Sequence, residues 1–333
     1  MVTIKDVAAE ASTSIGTVSK ALNGSHTISD EKTKQIIEVA DRLGYRPNTR
    51  AQSLARKSTR SISFLASLDK NTAFENPHMF EMLSGAEYAL SEKKYKVVLQ
   101  RCCPKTACQM SKDIMAGKAS DGLLIHASVV TKELAQMLAQ DEIPHMIIGK
   151  PNFTNSLCWI DNDNIYSGRI AARRVKDLGH TNIALVGSHE NDWISEDRLT
   201  GFQAEFDKPE SVQVFRGEAT VGEGERIGYE INSLPMKSTA VVCANNHLAV
   251  GCLRAFKKKG INVPDDISLI TFDEYPFAKF TEPPLTTISI DVYDLGVQAG
   301  KLLVNKIRKP SLHVQSYSTL PVLIVQQSDC FAK

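Results

Sequence analysis

The sequence predicts a two-part fold: a small all-α head, then a much larger α/β body built on parallel sheets. Three observations point there. The chain has 333 residues, more than one ordinary core organises, so two or three domains are expected. Its first stretch carries three short amphipathic helical patterns separated by capping and turn signals. From residue 61 onward, apolar strand-like runs alternate with helical stretches, the pattern of strands joined by crossover helices.

In the head, Ile4, Val7, Ala8 and Ala11 form one apolar face, with Thr3 and Asp6 in capping-box positions. Ser12-Thr13-Ser14 makes a tight turn. Ser14 then caps a second helix, Ile15–Leu22, buried through Val18, Ala21 and Leu22 and stopped by Asn23-Gly24. Ser29 caps a third helix with Asp30 and Glu31 in its first turn, and Gly44 ends it. Two short helices on a three-residue turn, braced by a third, make a helix-turn-helix whose second helix fits the DNA major groove. Thr17 and Ser19 suit phosphate oxygens, Lys20 suits guanine O6 and N7, and Ile15 suits a thymine methyl. Gly16 offers only close approach. A generic three-helix subdomain that binds a protein remains the plainer alternative.

Charge and the next segment favour DNA. Residues 1–60 carry ten Lys or Arg against six acids, a balance of +4, whereas the remainder carries 29 against 32. Tyr45-Arg46-Pro47-Asn48 breaks the third helix, and Thr49–Lys57 reads as a basic helix too short to persist alone. Leu54, its one large apolar residue, suits a wedge in the minor groove. Docking of that leucine on a protein surface is the alternative.

These residues carry a resemblance. Thr3-Ile4-Lys5-Asp6-Val7-Ala8, Thr17-Val18-Ser19-Lys20-Ala21-Leu22-Asn23-Gly24 and Leu43-Gly44-Tyr45-Arg46-Pro47-Asn48 together resemble the lactose- and purine-repressor family. The resemblance implies a homodimer on a pseudo-palindromic, double-stranded operator, with base reading at Ile15, Gly16 and Lys20. It extends the DNA-facing set to Thr3, Ser14 and Asn23, and to Tyr45, Asn48, Arg50, Ala51, Leu54 and Ala55 around paired hinge helices.

In the body, candidate strands include Ile62–Leu68, Lys96–Gln100, Gly122–His126, His145–Ile148, Ile183–Val186, Ala240–Ala244 and Ser268–Phe272. Helical patterns between them include Met79–Ser91, Ile165–Leu178, Leu248–Lys258 and Tyr293–Lys306. Ligands of such sheets bind at strand carboxyl ends. The resemblance continues through Asp161-Asn162-Asp163-Asn164, Val263-Pro264-Asp265-Asp266 and Pro283-Pro284-Leu285-Thr286, and implies two lobes like those of periplasmic sugar-binding proteins. Expected boundaries are 1–46 for the DNA-binding head and 47–60 for the hinge. The first lobe is placed at 61–160 with 291–321, and the second at 161–290 with 322–333. No tetramer-forming tail is expected.

Sugars need planar hydrogen-bonding groups on an otherwise apolar cleft. The resemblance places effector contacts on Arg198, Asn246, Asp273 and His126, and Asp69 and Asp161 join them from the first lobe and its crossing. Trp193 is a candidate ring-stacking face, since Ala219 stands where the family often has an aromatic. Each has a plainer role: Arg198 as an ion pair with Glu196 or Asp197, Asp273 as a helix cap, Trp193 as core or lid. Ile147–Pro151, Trp159–Asn164 and Phe272–Ala278 further resemble the maltose-operon repressors, implying an α-glucoside such as maltose that releases the operator. Control by a corepressor or a protein partner is the alternative, and so is sugar binding without a DNA function.

Other classes find little support. No P-loop, G-x-G-x-x-G after the first strand, G-x-S-x-G or H-E-x-x-H occurs, so no enzyme is expected. Seven cysteines with no C-x-x-C pair predict neither a disulfide framework nor a zinc site, and no cofactor is expected. No run of 18 apolar residues exists to span a membrane, and the polar start from Thr3 predicts no secretory signal, hence a cytoplasmic protein.

Overall fold

A computed structural model describes residues 2–23, 25, 27–46, 58–68, 77–189, 192–206, 212–273, 278–310, 312 and 316–333. The chain divides into two compact units, residues 1–60 and 61–333.

The first unit holds α1 (Ile4–Glu10), α2 (Ile15–Leu22) and α3 (Asp30–Arg42). The Thr3 N–H and hydroxyl both donate to the Asp6 carboxylate at 2.8 Å. Ser14 Oγ accepts from the Thr17 N–H at 3.1 Å, and Ser29 Oγ from the Lys32 N–H at 3.3 Å. Each cap satisfies a donor that helix geometry leaves without an internal partner. Beyond α3, the Tyr45 N–H bonds Ala40 O and the Gly44 N–H bonds Asp41 O, a Schellman closure. Gly44 adopts φ +66° to allow it. The three helices bury Val7, Ala8, Ala11, Val18, Ala21, Ile36, Val39 and Ala40 against one another. The expected hinge helix over Thr49–Lys57 lies outside the described residues.

The second unit contains two six-stranded sheets. The first uses β1 (Ser61–Ala66), β2 (Lys96–Arg101), β3 (Gly122–His126), β4 (His145–Ile148), β5 (Trp159–Asn162) and, from far along the chain, β11 (Tyr317–Thr319). Their order is β11-β5-β4-β3-β1-β2, with every pair parallel. The second uses β6 (Ile183–Gly187), β7 (Val212–Arg216), β8 (Ala240–Cys243), β9 (Ser268–Phe272), β10 (Thr286–Ser289) and β12 (Val322–Ile324). Their order is β12-β10-β9-β8-β6-β7, parallel except for the antiparallel β10–β12 pair.

Helices cover both faces of each sheet, so the central strands are buried and predominantly apolar. In the first lobe α4 (Pro77–Ser91) and α11 (Val292–Arg308) share a core with Ile62, Phe64, Leu124 and Met146. On the other face α5 (Pro104–Ala116) and α6 (Lys132–Gln140) meet Leu65, Leu123, Ile125 and Ile147. In the second lobe α7 (Asn164–Asp177) and α8 (Trp193–Gln203) pack on Ile183, Leu185, Val242 and Ile270. Opposite them α9 (Val221–Ser233) and α10 (Asn246–Lys258) pack on Ala184, Val186, Val241 and Leu269.

The chain passes between the sheets after β5, between β10 and α11, and between β11 and β12. β5 remains in the first sheet through Asn162, two residues past the boundary expected at 160. Its backbone pairs with β11 as far as Thr319, and that pairing carries the first lobe up to the N-cap Asp163. No helix of the described residues is long and apolar enough to cross a membrane.

Candidate functional site

Two surfaces carry the residues singled out by sequence. The first is α2 with its flanking turns. Val18 and Ala21 face the core, which turns Ile15, Gly16 and Lys20 outward; Ile15 is 45% exposed although apolar. Thr17 and Ser19 are half-buried. The Thr17 hydroxyl is 2.9 Å from Ser14 Oγ, and Asn23 Nδ2 donates to Ser19 O at 2.6 Å. Ser14 and Asn23 therefore order the two ends of α2 in addition to being exposed themselves. Tyr45 lies half-buried against the head core, so its ring is partly a packing element. Asn48, Arg50, Ala51, Leu54 and Ala55 lie outside the described residues.

The second surface is a cavity of about 360 Å³ where the carboxyl ends of both sheets face each other. In each sheet the chain order reverses beside the first strand, and such switch points leave a crevice at strand ends. First-lobe strands deliver His126, Ile148, Gly149 and Asp161; second-lobe strands deliver Ala244, Asn245, Asn246 and Asp273. Arg198 reaches the wall from α8.

How close α8 comes is set by two glycines. A Cβ on Gly168 of α7 would lie 2.0 Å from Arg198 O, and one on Gly201 of α8 would lie 1.9 Å from Ile165 O. The two backbones touch, and Arg198 is pressed into the lobe with 4% of its surface exposed. Its guanidinium is clamped. Nε donates to Asn164 Oδ1 at 3.1 Å, Nη1 to Ala244 O at 2.6 Å and to Asp273 Oδ2 at 3.1 Å, and Nη2 to Asp273 Oδ1 at 3.1 Å. The Phe272 ring lies beneath it, 4.6 Å from Cζ to the centroid. Arg198 thus pairs with neither Glu196, which bonds Arg216, nor Asp197. Asp273 adopts φ +67°, a left-handed conformation that asparagine and aspartate tolerate better than most residues, and it clamps an arginine where a helix cap was the alternative.

Four of the five guanidinium N–H groups are engaged among the described residues, leaving one on Nη2. Asn246 donates to Phe272 O and Asp273 O, at 2.8 and 2.5 Å, while its buried Oδ1 has no partner among the described residues. Across the cleft Asp161 accepts from the Lys150 and Asn162 N–H groups, at 2.9 and 2.8 Å. Burial raises its carboxyl above the ordinary range, against the pull of those two bonds. The Ser128 N–H donates to His126 Nδ1 at 3.3 Å, which leaves the ring proton on Nε2. Burial pushes this imidazole down to about 4, so it is neutral at pH 7. The wall thus offers single donors and acceptors around apolar Met82, Ile148, Ile194, Ile290, Val292 and Leu295, with no Phe, Tyr or Trp among the described lining residues.

The structure therefore brings His126, Asp161, Arg198, Asn246 and Asp273 together. Asp69 lies outside the described residues. Trp193 is a correction: its side chain is 54% exposed and outside the wall, which Asp192 and Ile194 meet instead. Successive helical residues point about 100° apart, so an aromatic at the first position of α8 cannot share the direction of the next. Ala219 does line the cavity. Sequence reading missed His78, Asp192, Asn245 and His247, which come from helix starts and loops; only Asp192 and Asn245 carried a signal, as N-cap residue types.

The comparisons fit both surfaces. Residues 3–48 match the family profile "Bacterial regulatory proteins, lacI family", and residues 172–328 match "Periplasmic binding protein-like domain". The chain is 28% identical to the HTH-type transcriptional repressor PurR of Vibrio parahaemolyticus over 98% of both proteins. It is 27% identical to catabolite control protein A of Priestia megaterium, over 93% of this chain and 94% of that protein. A solved complex of the transcriptional regulator CelR with cellobiose aligns over 98% of this chain and all of its own, at 26% identity and TM-score 0.71. The lac repressor dimer bound to operator and the anti-inducer ONPF aligns over 99% of both chains at 21% identity and TM-score 0.83, a likeness of fold. These relatives are not maltose-operon repressors, so that narrower likeness rests on the three sequence stretches alone.

Proposed function

We propose that the chain is a member of the LacI family of bacterial regulatory proteins, a dimeric, cytoplasmic repressor that releases a pseudo-palindromic operator when a small uncharged sugar fills the cleft. In this reading residues 1–46 bind DNA, 47–60 form the hinge, and the rest is the two-lobed sensor. Lys20 and Ile15 read bases, and Leu54 enters the minor groove at the operator centre.

One observation carries the choice of effector: the donor and acceptor inventory of the cleft. An Nη2 N–H on Arg198 and an Oδ1 on Asn246, both without a partner among the described residues, share apolar walls with a neutral His126 and a buried Asp161. Hydroxyls both donate and accept, so a pyranose satisfies such alternating groups. Among the described lining residues Asp161, Asp192 and Asp273 outnumber the one arginine, which disfavours an anionic effector. The cellobiose complex of a 26% identical regulator supports a glucoside, and the maltose-operon likeness supports an α-linked one.

The effector shifts the operator equilibrium only by its differential affinity for two lobe arrangements. The test is a gel shift on a palindrome selected with this protein, with maltose, cellobiose, a sugar phosphate or a purine base added. Release by maltose alone is expected. Release by the phosphate or the base overturns the effector reading and keeps the DNA one. No operator selected from the library overturns both.

A further inference from the structure

We propose that Asn164 is the positioning residue that couples the angle between the lobes to the effector-contacting arginine. The inference rests on the effector reading of the cleft. Asn162 is the last residue of β5, held in the first sheet, and Asn164 opens α7 in the second lobe. Only the N-cap Asp163 separates them, so their side chains straddle the first crossing. Asn162 Nδ2 donates to Asn164 Oδ1 at 3.4 Å and to Ser167 Oγ at 2.9 Å. Asn164 Oδ1 also accepts from Arg198 Nε at 3.1 Å. Asn164 Nδ2 turns back to Asn162 O at 3.4 Å.

One oxygen therefore receives a donor from each lobe. Asn162, Asn164 and Arg198 are 5%, 6% and 4% exposed, so water does not replace a broken link. Rotation about the crossing moves Asn162 relative to α7, and Asn164 Oδ1 must follow one donor or the other. Asn162 Oδ1 has no partner among the described residues, which leaves that side chain a second hydrogen-bonding arrangement to adopt. The Nε bond fixes the roll of the guanidinium about its long axis together with the Asp273 and Ala244 bonds, and is the one that leads back to the crossing. The same roll decides whether the remaining Nη2 N–H points into the cavity. A two-state element biased from both ends is what coupling requires.

The test uses the full-length protein. Asn164→Ala is expected to weaken maltose binding about tenfold and to reduce operator release at saturating maltose about fivefold, with operator affinity without sugar held within about twofold. Asn164→Asp keeps an acceptor for Nε and is expected to bind maltose within about threefold of the parent. An Asn164→Ala protein whose release at saturating maltose matches the parent has lost affinity alone, and overturns the coupling. A second readout needs no sugar and survives failure of the maltose reading. In protein labelled with 15N-arginine, Asn162→Asp is expected to move the Arg198 Nε–H resonance in the parent but not in the Asn164→Ala background. A resonance that Asn162→Asp leaves in place overturns the relay, whether or not any sugar binds. If maltose fails to bind the parent while the resonance responds, the effector identity falls and the relay stands.

Discussion

Replacing Arg198 with alanine separates a buried clamp from a surface ion pair. The guanidinium makes four hydrogen bonds and lies over Phe272, with side-chain exposures of 5% for Arg198 and 13% for Asp273. Its removal strands the Asp273 carboxylate and takes one donor each from Asn164 Oδ1 and Ala244 O. Breaking a buried pair from one side costs about 3–5 kcal/mol, against about 0–1 kcal/mol for an exposed pair. For the 273 residues of the second unit, an unfolding entropy near 2.1 cal/mol/K per residue gives about 570 cal/mol/K. The expected fall in Tm is then about 5–9 °C, measured by calorimetry on the sensor transition at pH 7. Arg198→Ala combined with Asp273→Ala is expected to lose less than the sum of the two singles, because no charge is left stranded. Operator release by sugar should vanish in every variant. A Tm fall under about 2 °C, with additive singles, would refute a desolvated clamp and return Arg198 to the class of solvated ion pairs.

Other consequences follow from the same contacts. Gly201→Ala drives a methyl into Ile165 O and is expected to cost about 1–3 kcal/mol by thermal unfolding and to weaken sugar binding through Arg198. Lys20→Ala should cost about 1–3 kcal/mol on the selected operator and relax specificity at one base pair, read from binding to single-base operator variants. Leu54→Ala should weaken specific operator binding in a gel shift and leave the sugar-induced thermal shift intact. His145 donates from Nδ1 to Ile143 O at 2.7 Å, leaves Nε2 without a partner among the described residues, and is pushed by burial down to about 4. An unfolded histidine titrates near 6.5, so the unfolded chain binds the extra proton between pH 6.5 and 4. Stability is therefore full above pH 6.5 and falls toward pH 4, by an amount on the order of 2–3 kcal/mol from this group. Urea unfolding of His145→Gln across that range should show a shallower pH slope.

What could be read without coordinates follows from where residues face. The six central strands β1, β3, β4, β6, β8 and β9 are buried on both sides, and their predominantly apolar runs announce them. The short strands beside the crossings do not: β10 reads Thr-Thr-Ile-Ser, and β5 ends in Asp161-Asn162. Their polar side chains break the apolar signal: Thr286 and Thr287 of β10 are buried, Thr286 bonding Asp329, while Asp161 of β5 lines the cavity and Asn162 bonds Asn164. Head caps were legible because each is one side chain three residues from its partner. Asp161, Arg198, Asn246 and Asp273 were legible as polar residues at expected strand ends or by family likeness. Asn164 was not, since alone it reads as an ordinary first residue of a helix. Its role exists only once Asn162 and Arg198, 34 residues beyond it, are brought to the same oxygen.

The clamp also constrains how recognition and release are linked. On the proposed reading, with four guanidinium donors already engaged in the second lobe, a sugar gains one N–H from Arg198 and not a full bidentate fork. Asp161 and His126 belong to the other lobe, so full satisfaction of a ring of hydroxyls requires both walls at one spacing. A ligand held equally well at every spacing shifts nothing, however tightly it binds. On the proposed reading, dividing the contacts between the lobes makes affinity depend on the angle between them, and that dependence is what would give a sugar leverage on DNA binding.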